Sequence, residues 1–308
     1  MKLSIVTTLY RSEIFLDRFV FESVEAAEKL GDDFEIVLVD DGSPDTSAAR
    51  ARVIAEANPR VVVVELSRNF GHHAAALCAI EYAKGDLIFL IDSDLEVDPG
   101  RLSDFFELMT RTDADVVYGV QESRKGSFAS RHLGSAFWKI FNAVSDVSVP
   151  NNVMTERLMT RRYVDALLQL GDKNLFMGGM FYWPGYRQVP LHLTKKARTT
   201  KSTYSLRKRT LLLVQAISSF SSVPLLIIFW LGIGIFAAAS IYSLVLVATK
   251  LFFPATIVTG FTFLAVLSLV SFGVNLMALG VVGLYIHRIF RQVQDRPRYI
   301  IKQVTRYK

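Results

Sequence analysis

Apolar and polar positions divide the chain into two unlike parts. Through about residue 200, short apolar runs at Leu3–Thr8, Glu35–Val39, Val61–Leu66, Leu87–Ile91 and Val116–Tyr118 alternate with longer amphipathic segments. Runs of this length read as strands, and the stretches between the first four read as helices. Strands joined by helical crossovers predict a parallel sheet in an α/β domain. Two further amphipathic helices are predicted, at Phe128–Val144 with Arg131 and Lys139, and at Arg161–Leu170.

The last third follows a different rule. Between Arg209 and Arg288 the only charged residue is Lys250, leaving the apolar stretches Leu211–Thr249 and Leu251–Ile286. About 20 apolar residues suffice to cross a bilayer. Two such stretches side by side predict a transmembrane hairpin rather than the buried helices of a soluble protein. Ahead of the spans, Leu206–Ser222 reads as an amphipathic helix along the interface, with Pro224 bending the chain into the first span. The expected organisation is a catalytic-type domain over 1–200, a juxtamembrane helix over 201–222, a hairpin over 223–286 with spans near 223–249 and 257–286, and a basic tail over 287–308.

Charge and cysteine content refine this picture. The net charge of +6 does not point to nucleic acid, because the basic residues gather beside the apolar stretches. Lys195–Arg209 holds seven basic residues and no acidic one, and Arg288–Lys308 holds seven against Asp295. Positive flanks mark the cytoplasmic side and attract anionic lipid head groups. With Met1-Lys2 leading directly into Leu3, no signal peptide is read, and the domain is expected to stay where it is made, on the cytoplasmic face of the inner membrane. The lone Cys78 allows no internal disulfide and fits a reducing compartment.

In a parallel sheet, ligands bind beyond the carboxyl ends of the strands. Here those positions carry Thr8 and Tyr10-Arg11, Asp40-Asp41-Gly42-Ser43, Ser67-Arg68-Asn69-Phe70-Gly71 and Asp92-Ser93-Asp94. Two carboxylates at a strand end can share a hard divalent cation with a diphosphate, and Glu96 could supply a third oxygen. Taken alone, the same acids also suit a turn or a helix cap. Asp41 could accept a hydrogen bond from a base or a ribose, or could simply close an Asx turn. His72 and His73 have no metal-spaced partners and read as the start of a helix, while Trp183 and Tyr186 fit either aromatic packing or an acceptor-facing edge.

Together with Arg157-Leu158-Met159 and Ser219-Phe220-Ser221-Ser222-x-Pro224-Leu225, these motifs resemble the polyisoprenyl-phosphate glycosyltransferases of glycosyltransferase family 2, in order from Leu3 to about Tyr299. The resemblance implies a GT-A fold and metal-dependent, inverting transfer of a sugar from a nucleotide donor, UDP-linked as the first choice, to polyprenyl (undecaprenyl) phosphate. It implies a Mg2+ or Mn2+ ion on Asp92 and Asp94, with a donor pocket formed by Thr8, Tyr10, Asp41, Arg68, Gly71, Asp92, Ser93 and Arg198. Arg124 and Arg131 match basic positions that face the lipid phosphate, so catalysis is expected to rest on Asp94, Arg124 and Arg131. Expected partners are the nucleotide sugar, polyprenyl phosphate and membrane lipids, with homo-oligomerisation left open.

The chain departs from the family pattern at Thr8-Leu9-Tyr10-Arg11-Ser12, at Glu96, at Gln121, and at Thr155-Glu156, where an acid is expected before Arg157. Two other readings compete. A processive polysaccharide synthase would need more spans and a Q-x-x-R-W motif, which Trp138, Trp183 and Trp230 do not form. A non-catalytic membrane scaffold would be expected to lose Asp92 and Asp94, which are intact.

Overall fold

The computed structural model of the chain describes residues 1–121, 142–143, 145, 147–150, 152–194, 221, 223–252 and 261–307. The expected helix at Phe128–Val144 (all but its residues 142 and 143), the juxtamembrane segment 201–222 (all but Ser221), and Arg124, Arg131 and Arg198 lie outside the described residues.

The first part is built by alternation. β1 (Leu3–Leu9), α1 (Glu13–Glu28), β2 (Phe34–Asp40), α2 (Ser47–Ala57), β3 (Val61–Leu66), α3 (His72–Tyr82) and β4 (Leu87–Leu90) follow in turn. β1 pairs in parallel with both β2 and β4, and β2 pairs in parallel with β3. These strands are apolar on both faces because helices cover both sides, as a parallel sheet requires. One core holds Ile5, Phe89, Phe105 and Leu158; the other holds Val6, Val64, Leu90 and Tyr163. Phe89 meets Phe105 edge-on at 5.2 Å between ring centroids. Phe89→Ala would cost about 3–5 kcal/mol by leaving a cavity there.

The sheet is mixed, which corrects the expectation of a purely parallel one. After α4 (Leu102–Thr112), β5 (Val116–Gln121) is followed by β6 (Val153–Thr160), which lies between β4 and β5 and runs antiparallel to both. The Arg157-Leu158-Met159 motif is therefore a central strand. Then come α5 (Arg161–Leu168), the short α6 (Met177–Met180) and β7 (Gln188–Leu193), which pairs in parallel with β5.

Two long helices follow, α7 (Val223–Phe252) and α8 (Phe261–Val293). Pro224 sits in the first turn of α7, where a missing N–H costs nothing, and marks a start rather than a bend. Among the described residues, Ser271–Val293 is long and apolar enough to cross a membrane, with mean hydropathy 1.4 and none of it buried; Val223–Ile235 is a shorter apolar stretch.

The chain then returns to the sheet. β8 (Ile301–Thr305) runs antiparallel to β3 and completes the order β7-β5-β6-β4-β1-β2-β3-β8. Tyr299 donates its hydroxyl to Glu81 at 2.6 Å, and Gln303 donates to Glu65 at 2.8 Å. Lys173 Nζ lies 2.7 Å from Asp295 just before this strand. Part of the basic tail is thus an edge strand of the first domain.

Candidate active site

The carboxyl ends of β1, β2 and β4 are tied together by hydroxyls and one carboxylate. Ser93 Oγ, just past β4, donates to the carbonyl of Thr8 at 3.0 Å and lies 3.1 Å from Ser12 Oγ. Ser12 N donates in turn to Ser47 Oγ at 2.9 Å, which anchors the start of α1 to α2. Ser93 is therefore a buried brace that spaces Asp92 and Asp94 along the loop.

From Ile91 to Pro99 burial alternates residue by residue: Ile91, Ser93, Leu95, Val97 and Pro99 are buried, while Asp92, Asp94, Glu96 and Asp98 are half-exposed. The apolar residues pin the loop to the core and leave the carboxylates at its surface. Asp94 Oδ1 accepts from Glu96 N at 3.1 Å, and Leu95 between them takes φ 57°, an unusual conformation for a branched residue. Asp98 caps the following 3₁₀ turn by accepting from Gly100 N at 2.9 Å. Among the described residues no three His, Cys, Asp or Glu side chains converge as a metal set, so Glu96 does not complete a triad with Asp92 and Asp94. Two carboxylates remain. A magnesium-type site uses one or two carboxylates and completes its shell from substrate phosphates and water, so this donor set fits such an ion.

Asp41 has a specific local task. Its Oδ1 accepts from Phe70 N at 2.7 Å and its Oδ2 from Gly71 N at 3.0 Å, with the residue 2% exposed. Burial raises its pKa above the ordinary carboxylate value, partly offset by these two bonds, while Asp40 nearby adds to the rise. Asp41 thus fastens the loop after β3 to the turn after β2. Gly42 makes this close approach possible: at φ +63°, a Cβ there would come within 2.7 Å of the Arg68 and Asn69 backbone. Arg68 lies over the Phe70 ring at 4.1 Å and donates to Asn69 O at 3.1 Å, so it rests on its own loop.

α3 begins at His72, as the helix-start reading expected, with Gly71 at φ 97° before it and no side-chain cap. His72 Nδ1 lies 3.2 Å from Thr8 Oγ1, linking α3 to β1. His73 Nδ1 lies 3.2 Å from the Leu175 carbonyl, and its burial pushes its pKa below the usual histidine value. Tyr10 stands 48% exposed beside these residues. Thr8, Tyr10, Asp41, Arg68, Gly71, Asp92, Ser93 and Asp94 therefore gather along one edge of the sheet, while Trp183 and Tyr186 sit exposed beyond it, in the loop before β7.

The residue that motif reading passed over is Arg157 as a cation. It is 2% exposed and faces the core shared by Leu90 and Tyr118, its register partners on β4 and β5. Its guanidinium stacks 3.3 Å from the Phe181 ring centroid. Burial lowers its pKa from the ordinary arginine value, while Tyr182, Tyr163 and Glu156 pull in the opposite direction. A sequence signal existed: a charged residue in mid-strand, two positions before Met159 on the same face, breaks the apolar alternation.

A mixed α/β sheet with paired carboxylates and backbone-braced loops at its carboxyl edge is an arrangement in which ligands bind beyond the strand ends. The sequence profile described as "Glycosyl transferase family 2" matches residues 4–168. A chain of Mycobacterium tuberculosis named among glycosyltransferases is 38% identical over 304 residues, 99% of this chain and 88% of that one. The "SfII prophage-derived bactoprenol glucosyl transferase" of Shigella flexneri is 32% identical, covering 99% of each chain. The "Prophage bactoprenol glucosyl transferase homolog" of Escherichia coli is 30% identical over 99% of this chain and all of its own. The chain belongs to glycosyltransferase family 2 and is a glycosyltransferase with a GT-A-like α/β fold.

Proposed function

We propose that the enzyme transfers a sugar from a nucleoside-diphosphate donor, UDP-linked as the first choice, onto polyprenyl phosphate at the cytoplasmic face of the inner membrane, inverting the anomeric centre. The observation that carries this reading is a transferase edge joined in one chain to helices whose apolar side chains stand exposed among the described residues, such as Trp230 at 66% and Leu279 at 66% exposure. Relatives named as bactoprenol glucosyl transferases match across the full chain, helices included.

The pairing of β8 with β3 bears on topology. The strand after α8 lies in the same sheet as the strands before α7. The intervening chain must then cross a bilayer an even number of times. This favours two spans, α7 and α8, over one, and it agrees with the basic flanks on the cytoplasmic side. In this proposal Ser271–Val293, the one described stretch long and apolar enough to cross a membrane, is an arm of that hairpin.

Asp92 and Asp94 would hold a divalent cation together with the donor diphosphate, and that ion would neutralise charge developing on the leaving group. Asp41 positions the Ser67–Gly71 wall of the donor pocket through the Phe70 and Gly71 amides. Thr155 stands where an acid is expected and cannot serve as a base, but none is needed. A phosphate monoester has a second pKa of about 6 and is already mostly dianionic at neutral pH. Alternation along β6 puts Glu156 on the opposite face from Thr155 and Arg157, away from that strand position's ligand side. The remaining demands are positioning and charge compensation, to which Arg124, Arg131 and Arg198 are assigned.

The test is incubation of membranes carrying the enzyme with radiolabelled nucleotide sugars and undecaprenyl phosphate, with Mg2+ or Mn2+ and with chelator. Label should enter the lipid fraction in a metal-dependent way with inverted configuration. Transfer only to a growing polysaccharide, or none with any donor, would overturn the proposal.

A further inference from the structure

A cavity of about 160 Å³ opens between the start of α3 and the face of β6. Its polar wall is His72, His73, Thr155 and Arg157; Leu90, two residues ahead of Asp92, and Phe181 belong to its apolar wall. Arg157 donates through Nε to the Thr155 carbonyl and through Nη2 to the Met154 carbonyl, each at 3.1 Å. Its Nη1 is buried and meets no acceptor among the described residues. These two bonds account for its structural role at β6; the charge of the neighbouring buried Glu156 acts on it, but Nη1 is left unused, which is costly for a buried cation.

Other features of the cavity point the same way. The start of the 11-residue helix α3 borders it through His72, His73 and Ala76, so the positive end of that helix lies at its wall. Among the described residues no carboxylate lines it. The rest of the wall is apolar, which suits an anion attached to a hydrocarbon better than a hexose with hydroxyls on every side.

We propose that this cavity takes the phosphate of the lipid acceptor, with Arg157 as its buried cationic contact and the first isoprene units against the apolar wall. The assignment rests on the acceptor class proposed above. It adds to the reaction a cation from the sheet core, where the guanidinium is held in place by Phe181 and two carbonyls before any ligand arrives, so little ordering is lost on binding. The donor diphosphate keeps its separate place at Asp92 and Asp94, and the acceptor oxygen enters from the α3 side.

The experiment uses the full chain in detergent and two probes, farnesyl phosphate and UDP with Mn2+, titrated separately by calorimetry. Arg157→Gln should weaken farnesyl phosphate binding by about tenfold or more, since it removes a charge-assisted hydrogen bond. Arg157→Lys, which keeps the charge, should recover part of the loss. UDP–Mn2+ binding should be unchanged in both. If Arg157→Gln does not fold, Ala76→Leu decides the matter: Ala76 lines the cavity on α3 and touches none of the Arg157 bonds, so the larger side chain should exclude farnesyl phosphate alone. Farnesyl phosphate binding untouched by these changes, or UDP binding lost in parallel, overturns the cavity assignment. A wild-type enzyme that binds UDP–Mn2+ but not farnesyl phosphate overturns the acceptor class itself and the cavity with it.

Discussion

The sheet domain and the helical third use the same residue types for opposite ends. In the sheet domain Val39, Val64, Leu77 and Ile88 vanish between strands and helices. In α7 and α8, Leu244 at 72%, Phe272 at 63% and Leu279 at 66% exposure stand uncovered by the described residues. Burying apolar area stabilises at about 25 cal/mol per Å², whichever medium accepts it. The first region satisfies that demand by folding on itself; in the proposed function the second does so by entering lipid. The proposed function divides the labour accordingly: the sheet edge is assigned the chemistry, and the helices the placing of it. β8 then couples the two, because it follows α8 in sequence and pairs with β3 in space.

The change with the largest expected effect strikes the chemical half alone. Asp94→Asn should lower transfer by about 100-fold or more, as losses of transition-state charge stabilisation do. Its half-exposed side chain lies outside both cores, so the melting temperature should hardly move. Near-normal turnover at ordinary Mg2+ would remove the carboxylate pair from the mechanism.

A second change strikes the anchoring half. Phe272→Lys combined with Leu279→Lys would be nearly neutral on a helix surrounded by water, but costs roughly 2.5–3.5 kcal/mol per charge near a bilayer centre. The double variant should leave the membrane fraction while its UDP–Mn2+ affinity persists. Retention at the membrane would place those faces of α8 against something other than lipid.

Labelling sharpens the comparison further. A cysteine at position 250 should react with an impermeant maleimide from outside the cell, and one at position 308 should not. Cys78 provides a silent background: it is fully buried, and burial pushes its thiol pKa up to about 12, which suppresses the thiolate. Labelling at 308 from outside would contradict the β3–β8 pairing as well as the topology.

The smallest effect concerns pH. The pKa of His73 is held below the usual value of 6.5 chiefly by burial. Below pH 6.5 the unfolded chain therefore binds more protons than the native one at this site. The stability it supports is complete above pH 6.5 and declines as pH falls toward the depressed pKa, by at most about 1.4 kcal/mol per pH unit. Melting temperatures followed from about pH 7.5 to about pH 5.5 should show this decline, and His73→Gln should flatten it. An unchanged slope would mean that His73 is protonated as easily in the fold as outside it.

What the chain determines locally was legible. The strands β1 to β4 are set by short apolar runs and by breakers such as Gly42 and Gly71, so Asp41, Asp92 and Asp94 could be placed at carboxyl ends without a structure. The long apolar helices were equally plain, because composition alone exceeds what a soluble domain can bury. Tertiary structure decided what depends on partners far away in sequence. Gln303 bonds to Glu65 across 238 positions, and no local pattern distinguishes an edge strand in a basic tail from a solvated one. The antiparallel insertion of β6 between β4 and β5 likewise turned Arg157 inward. On the sequence it is one cation in a three-residue motif. Only packing against Phe181 and α3 makes it a buried donor at the wall of a cavity, because burial and hydrogen-bond satisfaction belong to the assembled neighbourhood and not to the residue.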